Sequence, residues 1–396
     1  MANSNLTKAK KAKNDEFYTQ WIDIEREVNA YLEYDCDVFR GKTVLCPCDD
    51  PYESNFFKYF AFNFNNLGLK KLIATCYMGS PIANTQLSLF DDELEDNKTT
   101  RVPHKIEITE VADYNNDGAV NFLDIEWLIA NKKNVLTRLD GDGDFRSDEV
   151  TTLRDEADII VTNPPFSLFR EFMAWIMEAE KQFLIIGNMN AITYKEIFPL
   201  IRDNRVWLGP SITSGDRAFN VPEDYPLEAA SCGYDKYGKK FIRVKGVRWF
   251  TNLDHGRRHQ PMRLISMADN LKYNKGLKKK LDGRTAYDEY YNYEAIDVPI
   301  TDAIPLGYNG IMGVPISFLD KYCPEQFEIL GISSDVGISA QIGVKPLGED
   351  FIEKYRQCGG TGHISKGMTF LGLTTPTHRT VYGRIIIRSK EQYNES

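Results

Sequence analysis

The short run Asp158-Ile159-Ile160-Val161-Thr162 is apolar and β-branched, and Asn163-Pro164-Pro165 stops it at once. Proline donates no amide hydrogen to a ladder or a helix, and it also restricts the residue before it. The strand must end near Thr162, and the chain must turn. Leu168, Phe169, Phe172, Met173, Ile176 and Met177 then recur at helical spacing and form one apolar face. The same alternation runs through the first half of the chain. Thr43-Val44-Leu45-Cys46 reads as a buried strand, followed by an aromatic-rich helix carrying Phe56, Phe57, Tyr59, Phe60 and Phe64. Lys71 to Thr75 and Phe183 to Ile186 read as further strands. Strands alternating with amphipathic helices predict an α/β fold with a parallel sheet. In such open sheets ligands bind at the carboxyl ends of the strands, which is where Asn163 to Phe166 stand.

A chain of 396 residues calls for two or three domains. We expect the α/β domain over 1–209, interrupted by an acidic insertion at about 80–142. A glycine-, tyrosine- and charge-rich unit over 210–300 and a carboxyl-terminal portion over 301–396 complete the expected division. No stretch is apolar enough to span a bilayer, and the polar, lysine-containing segment before Asn14 is no secretory signal. Seven scattered cysteines do not form a disulfide framework, and Cys46-Pro47-Cys48 lacks a second pair at zinc spacing. A cytoplasmic protein is expected.

The net charge of −9 would by itself argue against nucleic acid, but it is local. Residues 91–158 hold 19 acidic and 8 basic side chains, whereas the rest of the chain holds 40 basic and 38 acidic. Between Lys239 and Arg263, eight Lys and Arg face only Asp254. Within that stripe Arg243, Lys245, Arg248, Arg257 and Arg258 are candidate phosphate contacts, with Trp249 and Phe250 interleaved. A solvated basic face is the alternative.

The tetrapeptide suits one kind of chemistry. An amine conjugated to a ring, such as that of adenine, is a poor nucleophile because its lone pair is delocalised. Acceptors for both amino hydrogens favour a pyramidal nitrogen that can attack. Asn163 offers a side-chain carbonyl, and Pro164 offers a backbone carbonyl stiffened by its neighbour Pro165. Phe166 offers an apolar face for a base taken out of its stack. Displacement from a sulfonium needs positioning more than a general base. The alternative is a proline-rich turn with a structural purpose only.

Several longer motifs, in order, resemble the EcoRI-type family of adenine DNA methyltransferases. They are Asn14 to Gln20, Cys46-Pro47-Cys48-Asp49-Asp50-Pro51, Gly141 to Ser147, Thr162 to Phe166, Gly187 to Lys195 and Val247 to Leu253. The resemblance implies a Rossmann-like domain dependent on S-adenosylmethionine (AdoMet), followed by a DNA-recognition region. It implies that Phe17, Tyr18 and Thr19 contact the methionine end of the cofactor. Asp49 and Asp50, beyond Cys46, would hold its charged amino-acid portion, and Asp144-Phe145 would bond and stack on its adenine. Taken singly, Phe17 and Phe145 could equally be core aromatics, and Asp49 and Asp50 turn residues. No glycine-rich turn follows the first strand, and no acidic ribose-binding residue follows the second, where Thr75-Cys76 stands.

The partner implied is double-stranded DNA, with a cognate restriction nuclease as a possible genomic neighbour and a monomer as the expected state. Asp113, Asn115, Asp117 and Asp124, with Gly118 at the sixth position, also match a calcium loop over 113–124. An Asx-rich turn capping the next helix is its alternative. Two other functions stay open at this point. One is methylation of RNA or of a protein glutamine, whose amine is equally planar; the other is a catalytically silent DNA-binding module.

Overall fold

A computed structural model describes residues 19–50, 54–76, 103–114, 118, 120, 122–130, 137–213, 216–221, 232–361, 371–373, 380–381 and 383–390. The chain divides into two compact units, Met1–Ala191 with Trp207–His255, and Ile192–Val206 with Gly256–Ser396.

The first unit is built on an eight-stranded sheet. Its strands are β1 (Thr43–Cys46), β2 (Lys71–Thr75), β3 (His104–Ile108), β4 (Thr137–Arg138), β5 (Ile159–Thr162), β6 (Gln182–Asn188), β7 (Trp207–Leu208) and β11 (Val247–Thr251). They lie in the order β4-β3-β2-β1-β5-β6-β11-β7. The central four are mutually parallel, and the flanking pairs are antiparallel. Every residue of β1 and β5 is buried, as expected for parallel strands covered on both faces, and this is why they read as unbroken apolar runs.

The helices bury stripes that the sequence spaces correctly. In α1 (Trp21–Leu32), Ile24, Val28 and Tyr31 fall on the buried face. In α2 (Asn55–Phe62), Phe56, Phe57, Tyr59 and Phe60 are buried, and Ser54 caps the helix by accepting from the Phe56 and Phe57 amides. The helices α3 (Phe122–Ala130) and α4 (Asp148–Glu156) follow. Then α5 (Phe169–Glu178), entered through a 3₁₀ turn at Phe166–Leu168, buries Phe169, Phe172, Met173, Trp175 and Ile176. A small antiparallel sheet, β8 (Asp216–Asn220), β10 (Lys240–Lys245) and β9 (Cys232–Tyr234), completes the unit.

In the second unit a five-stranded sheet runs in the order 288–289, 295–297, 311–315, 384–389 and 327–332. Its core holds Met312, Val314, Phe318, Phe327 and Ile385 to Ile387. Asp297 is buried there with Arg384 Nε at 2.7 Å and accepts the Tyr290 hydroxyl at 2.7 Å.

The expected domain division is corrected in two places. Residues 210–300 do not form one unit, because β11 inserts between β6 and β7 while 256 onward joins the second unit. The feature behind this is Val247-Arg248-Trp249-Phe250-Thr251, all buried, a central-strand pattern hidden inside the basic stripe. Nor is 80–142 a separate insertion throughout, since β3 and β4 extend the main sheet. Among the described residues no helix is long and apolar enough to cross a membrane.

Candidate active site

The carboxyl edge of the central strands gathers most of the expected site. Asn163 follows β5 directly and is 7% exposed, and Pro164, Pro165 and Phe166 are buried beside it. Leu168 donates its amide to the Pro165 carbonyl at 2.9 Å, closing the turn that the two prolines begin. The turn therefore holds the tetrapeptide between two packed elements.

Next to it stands the turn after β1. The Asp49 amide donates to the Thr75 carbonyl at 3.1 Å, and the Thr75 hydroxyl to the Pro47 carbonyl at 3.0 Å, so the turn is pinned to the end of β2. Cys46 and Asp50 are also buried, and burial pushes the Cys46 thiol well above its usual range. Asp49 is buried too, but each of its carboxylate oxygens is already engaged. Ser54 donates to Oδ1 and Thr162 to Oδ2, both at 2.5 Å. Burial raises the Asp49 carboxyl to about 7, against the lowering effect of those two hydroxyls.

The amino-terminal motif reaches the same edge through Thr19, whose carbonyl accepts from the Asn55 side chain at 2.7 Å. The Thr19 hydroxyl is buried without a hydrogen-bond partner among the described residues. Phe17 and Tyr18 lie outside the described residues. A buried hydroxyl in need of a partner and the buried carboxyl of Asp50 fit the charged end of an amino-acid-like cofactor.

Asp144-Phe145 is brought to the end of β2 by Gly143, at φ +76°, where a Cβ would meet the Cys76 carbonyl oxygen at 2.2 Å. Only glycine allows that approach. The Asp144 carboxylate is gripped by Arg146, with Nε on Oδ1 at 2.8 Å and Nη2 on Oδ2 at 2.6 Å, which holds its carboxyl below the usual range. Phe145 is 3% exposed and meets Phe172 and Trp175 edge-on at 4.9 and 5.5 Å. Two rings of α5 thus pack against Phe145, and its role toward the cofactor's adenine rests on the resemblance.

Other neighbours of the site carry no signal in the sequence. Cys76 and His104 place their ligand atoms, with that of Asp50, within 4.8 Å of one another, all three residues being buried. The Cys76 sulfur lies 3.1 Å from His104 Nδ1, and burial and Asp50 push its thiol to about 12. Ser54 and Thr162 are visible beforehand only as a helix cap and a strand end. No sequence spacing links them to Asp49, because the contact is tertiary.

The basic stripe is split. Arg243 and Lys245 are exposed on β10 in the first unit, and Arg257 is exposed in the second. Two candidates are corrected. Arg248 is 5% exposed and donates to the Val247 and Thr213 carbonyls, at 2.9 and 2.6 Å. Arg258 is 7% exposed and donates to the Asn204 side chain. Both guanidiniums serve acceptors within the fold and are not presented to phosphates. In the 113–124 loop, Asn115 and Asp117 lie outside the described residues. Asp113 accepts from the Gly118 amide and Asp124 from the Tyr114 amide, at 2.8 and 2.7 Å, so both carboxylates help to close the loop.

Comparison with known proteins shows the family. The family profile described as adenine-specific methyltransferase EcoRI matches residues 5–390. The type II methyltransferase M.EcoRI of Escherichia coli is 44% identical over 328 residues, 83% of this chain and 89% of that protein. The type II methyltransferase M.MpnI of Mycoplasma pneumoniae is 35% identical over 82% of this chain and 84% of its own. M.MgeORF184P of Mycoplasma genitalium, also a type II methyltransferase by name, is 35% identical over 82% and 85%. No solved structure matches the chain.

Proposed function

Because the chain belongs to the EcoRI family of adenine-specific methyltransferases, we infer that it transfers a methyl group from AdoMet to N6 of adenine in DNA, as a type II restriction–modification enzyme. The observation that carries the site assignment is the burial of Asn163 to Phe166 at the carboxyl end of β5, beside the turn after β1. AdoMet, when bound, supplies an electrophilic methyl group on a sulfonium.

The protein's part is to hold and orient. The side-chain carbonyl of Asn163 and the backbone carbonyl of Pro164 accept the two amino hydrogens of a flipped adenine and make its nitrogen pyramidal. Phe166 gives the base an apolar surface, and the dry strand end strengthens both acceptors. Thr19 and Asp50 are the residues we assign to the cofactor's amino-acid end, with Phe17 and Tyr18 expected nearby on the resemblance alone. Asp144 is the candidate partner of its adenine. A calcium ion in the 113–124 loop would be a structural staple, apart from the chemistry of transfer.

For the DNA we assign the exposed face of the β9–β10 hairpin. It carries Arg243 and Lys245, with the Arg243 guanidinium 5.7 Å from the Phe241 ring, and Tyr237 in the hairpin's turn is 76% exposed. Cations with interleaved aromatics suit a phosphate backbone and unstacked bases. Target recognition by this sheet together with the second unit, a monomeric state, a cytoplasmic setting and a cognate nuclease complete the proposal. Expression in a host lacking adenine methylation, with modified bases mapped by single-molecule sequencing, tests it directly. N6-methyladenine at one short sequence is expected; unmodified DNA together with methylated RNA or protein would overturn it.

A further inference from the structure

We propose that Asp49 is a positioning residue for methyl transfer, a strut that ties the turn after β1 to Thr162 and so fixes Asn163, rather than a ligand of the cofactor. This role presupposes that Asn163 is the acceptor for the substrate amine. Its geometric basis is the pair of hydroxyls. Thr162 immediately precedes Asn163, and its hydroxyl donates to Asp49 Oδ2; Ser54, the cap of α2, donates to Oδ1. One carboxylate therefore joins β1, β5 and α2 at the point where the cofactor turn and the catalytic turn meet.

The ionised carboxylate accepts both hydroxyls. The Ser54 oxygen already accepts from the Phe56 and Phe57 amides, at 3.0 and 3.4 Å, so its hydrogen is committed to Asp49. An amide in its place would set an NH2 donor against one of the two hydroxyls that now donate there. Thr162 would then rotate, and Asn163 would move with it. The titratable groups beside Asp49 are Asp50, in the same turn, whose charge opposes its own, and Cys46, at the end of β1, whose buried thiol stays protonated and neutral. Ser54 and Thr162 offset that opposition with neutral dipoles alone. Packing by itself does not call for a charge in so costly a place, since a small polar residue fills the same space without one.

The test is a double-mutant cycle on the full-length protein with Asp49→Asn and Thr162→Val, measured by single-turnover methyl transfer, AdoMet dissociation constant by calorimetry, and melting temperature. Each single change is expected to slow transfer about ten- to a hundredfold, the scale of a misplacement of about 1 Å, while AdoMet affinity stays within about threefold. The double variant should be no slower than the worse single one, because both remove the same contact. Thr162→Ser, which keeps the hydroxyl, should restore the rate. An AdoMet affinity that falls as far as the rate would make Asp49 a cofactor ligand and overturn the proposal. So would additive losses, an unrestored rate in Thr162→Ser, or unchanged transfer. If Asp49→Asn fails to fold, the Thr162→Val and Thr162→Ser pair decides alone. Asn163→Ala run alongside separates the two assignments: full activity there sinks the acceptor role, whereas lost activity there with unchanged transfer in Asp49→Asn sinks only the strut.

Discussion

Two carboxylates that the family resemblance assigns to one cofactor, Asp49 and Asp144, are treated by the protein in opposite ways. Asp49 is enclosed by hydroxyls, with a second carboxylate as its charged neighbour, so burial dominates and its carboxyl rises to about 7. Asp144 sits in a loop under the fork of Arg146, and its carboxyl falls below the usual range. The sign of each shift follows from the neighbour. A charge matched by a guanidinium is inexpensive to keep, whereas one matched only by dipoles is poised near neutrality. The poised one is wired to the catalytic strand through Thr162, and the matched one is not.

The contrast is most exposed to failure at the acceptor itself. Asn163→Ala should lower single-turnover methyl transfer by on the order of a thousandfold, the scale of losing one preorganised polar group at a reacting centre. AdoMet affinity should stay within a few fold, because the residue is assigned to the substrate rather than to the cofactor. Wild-type turnover in that variant would detach the Asp49 strut from any catalytic purpose. The next largest effect belongs to the Asp144 side. Gly143→Ala combines a left-handed backbone with a Cβ driven into the Cys76 carbonyl, and should cost about 2–4 kcal/mol of stability by denaturant unfolding. A cost under about 0.5 kcal/mol would mean that the loop does not need its close approach to β2.

The pH dependence of stability separates the two carboxylates further. The folded-state value of Asp49 lies above its ordinary 3.8, so between about pH 4 and 7 the unfolded chain releases this proton first. Stability from this group is therefore fully present below pH 4 and declines as pH rises to about 7, by about 1.4 kcal/mol for each pH unit crossed. Asp49→Asn should remove that decline from the unfolding free energy of the cofactor-free protein. Parallel pH curves for wild type and variant would show that Asp49 is not desolvated in solution.

How much of this is legible in the sequence differs by scale. The strands at 43–46, 71–75 and 159–162 and the helix after the prolines can be read because burial on both faces leaves an unbroken apolar run, and because proline ends it. The β11 strand cannot, because Arg248 inside Val247-Arg248-Trp249-Phe250-Thr251 looks like part of a surface stripe. Its guanidinium is held on backbone carbonyls, a pairing that no local pattern announces. The candidate site shows the same limit. Asn163 to Phe166 can be placed at a strand end from its own neighbours. Asp49 can be assigned only by analogy, and its hydroxyl partners are 5 and 113 residues away. Arg258 misleads for the same reason as Arg248: a charge in the sequence does not say which way it points.

The smallest effect offers the finest test of the comparison. Arg146→Ala leaves Asp144 in place but removes its fork, so the carboxyl should return toward its ordinary value, and half-exposed Arg146 should contribute under about 1 kcal/mol. The sign is opposite to that of Asp49. A carboxyl held low stabilises the fold above its unfolded value and loses that contribution as pH falls, so wild type and variant should differ slightly above the ordinary value of 3.8 and converge as pH falls below it. Carbon-13 titration of the Asp144 carboxyl in both proteins reads this without catalysis. An unchanged titration midpoint would mean that the loop itself, through the Arg146 amide on Oδ1 at 2.8 Å, sets the value. The two carboxylates would then differ by backbone design rather than by the presence of a cation.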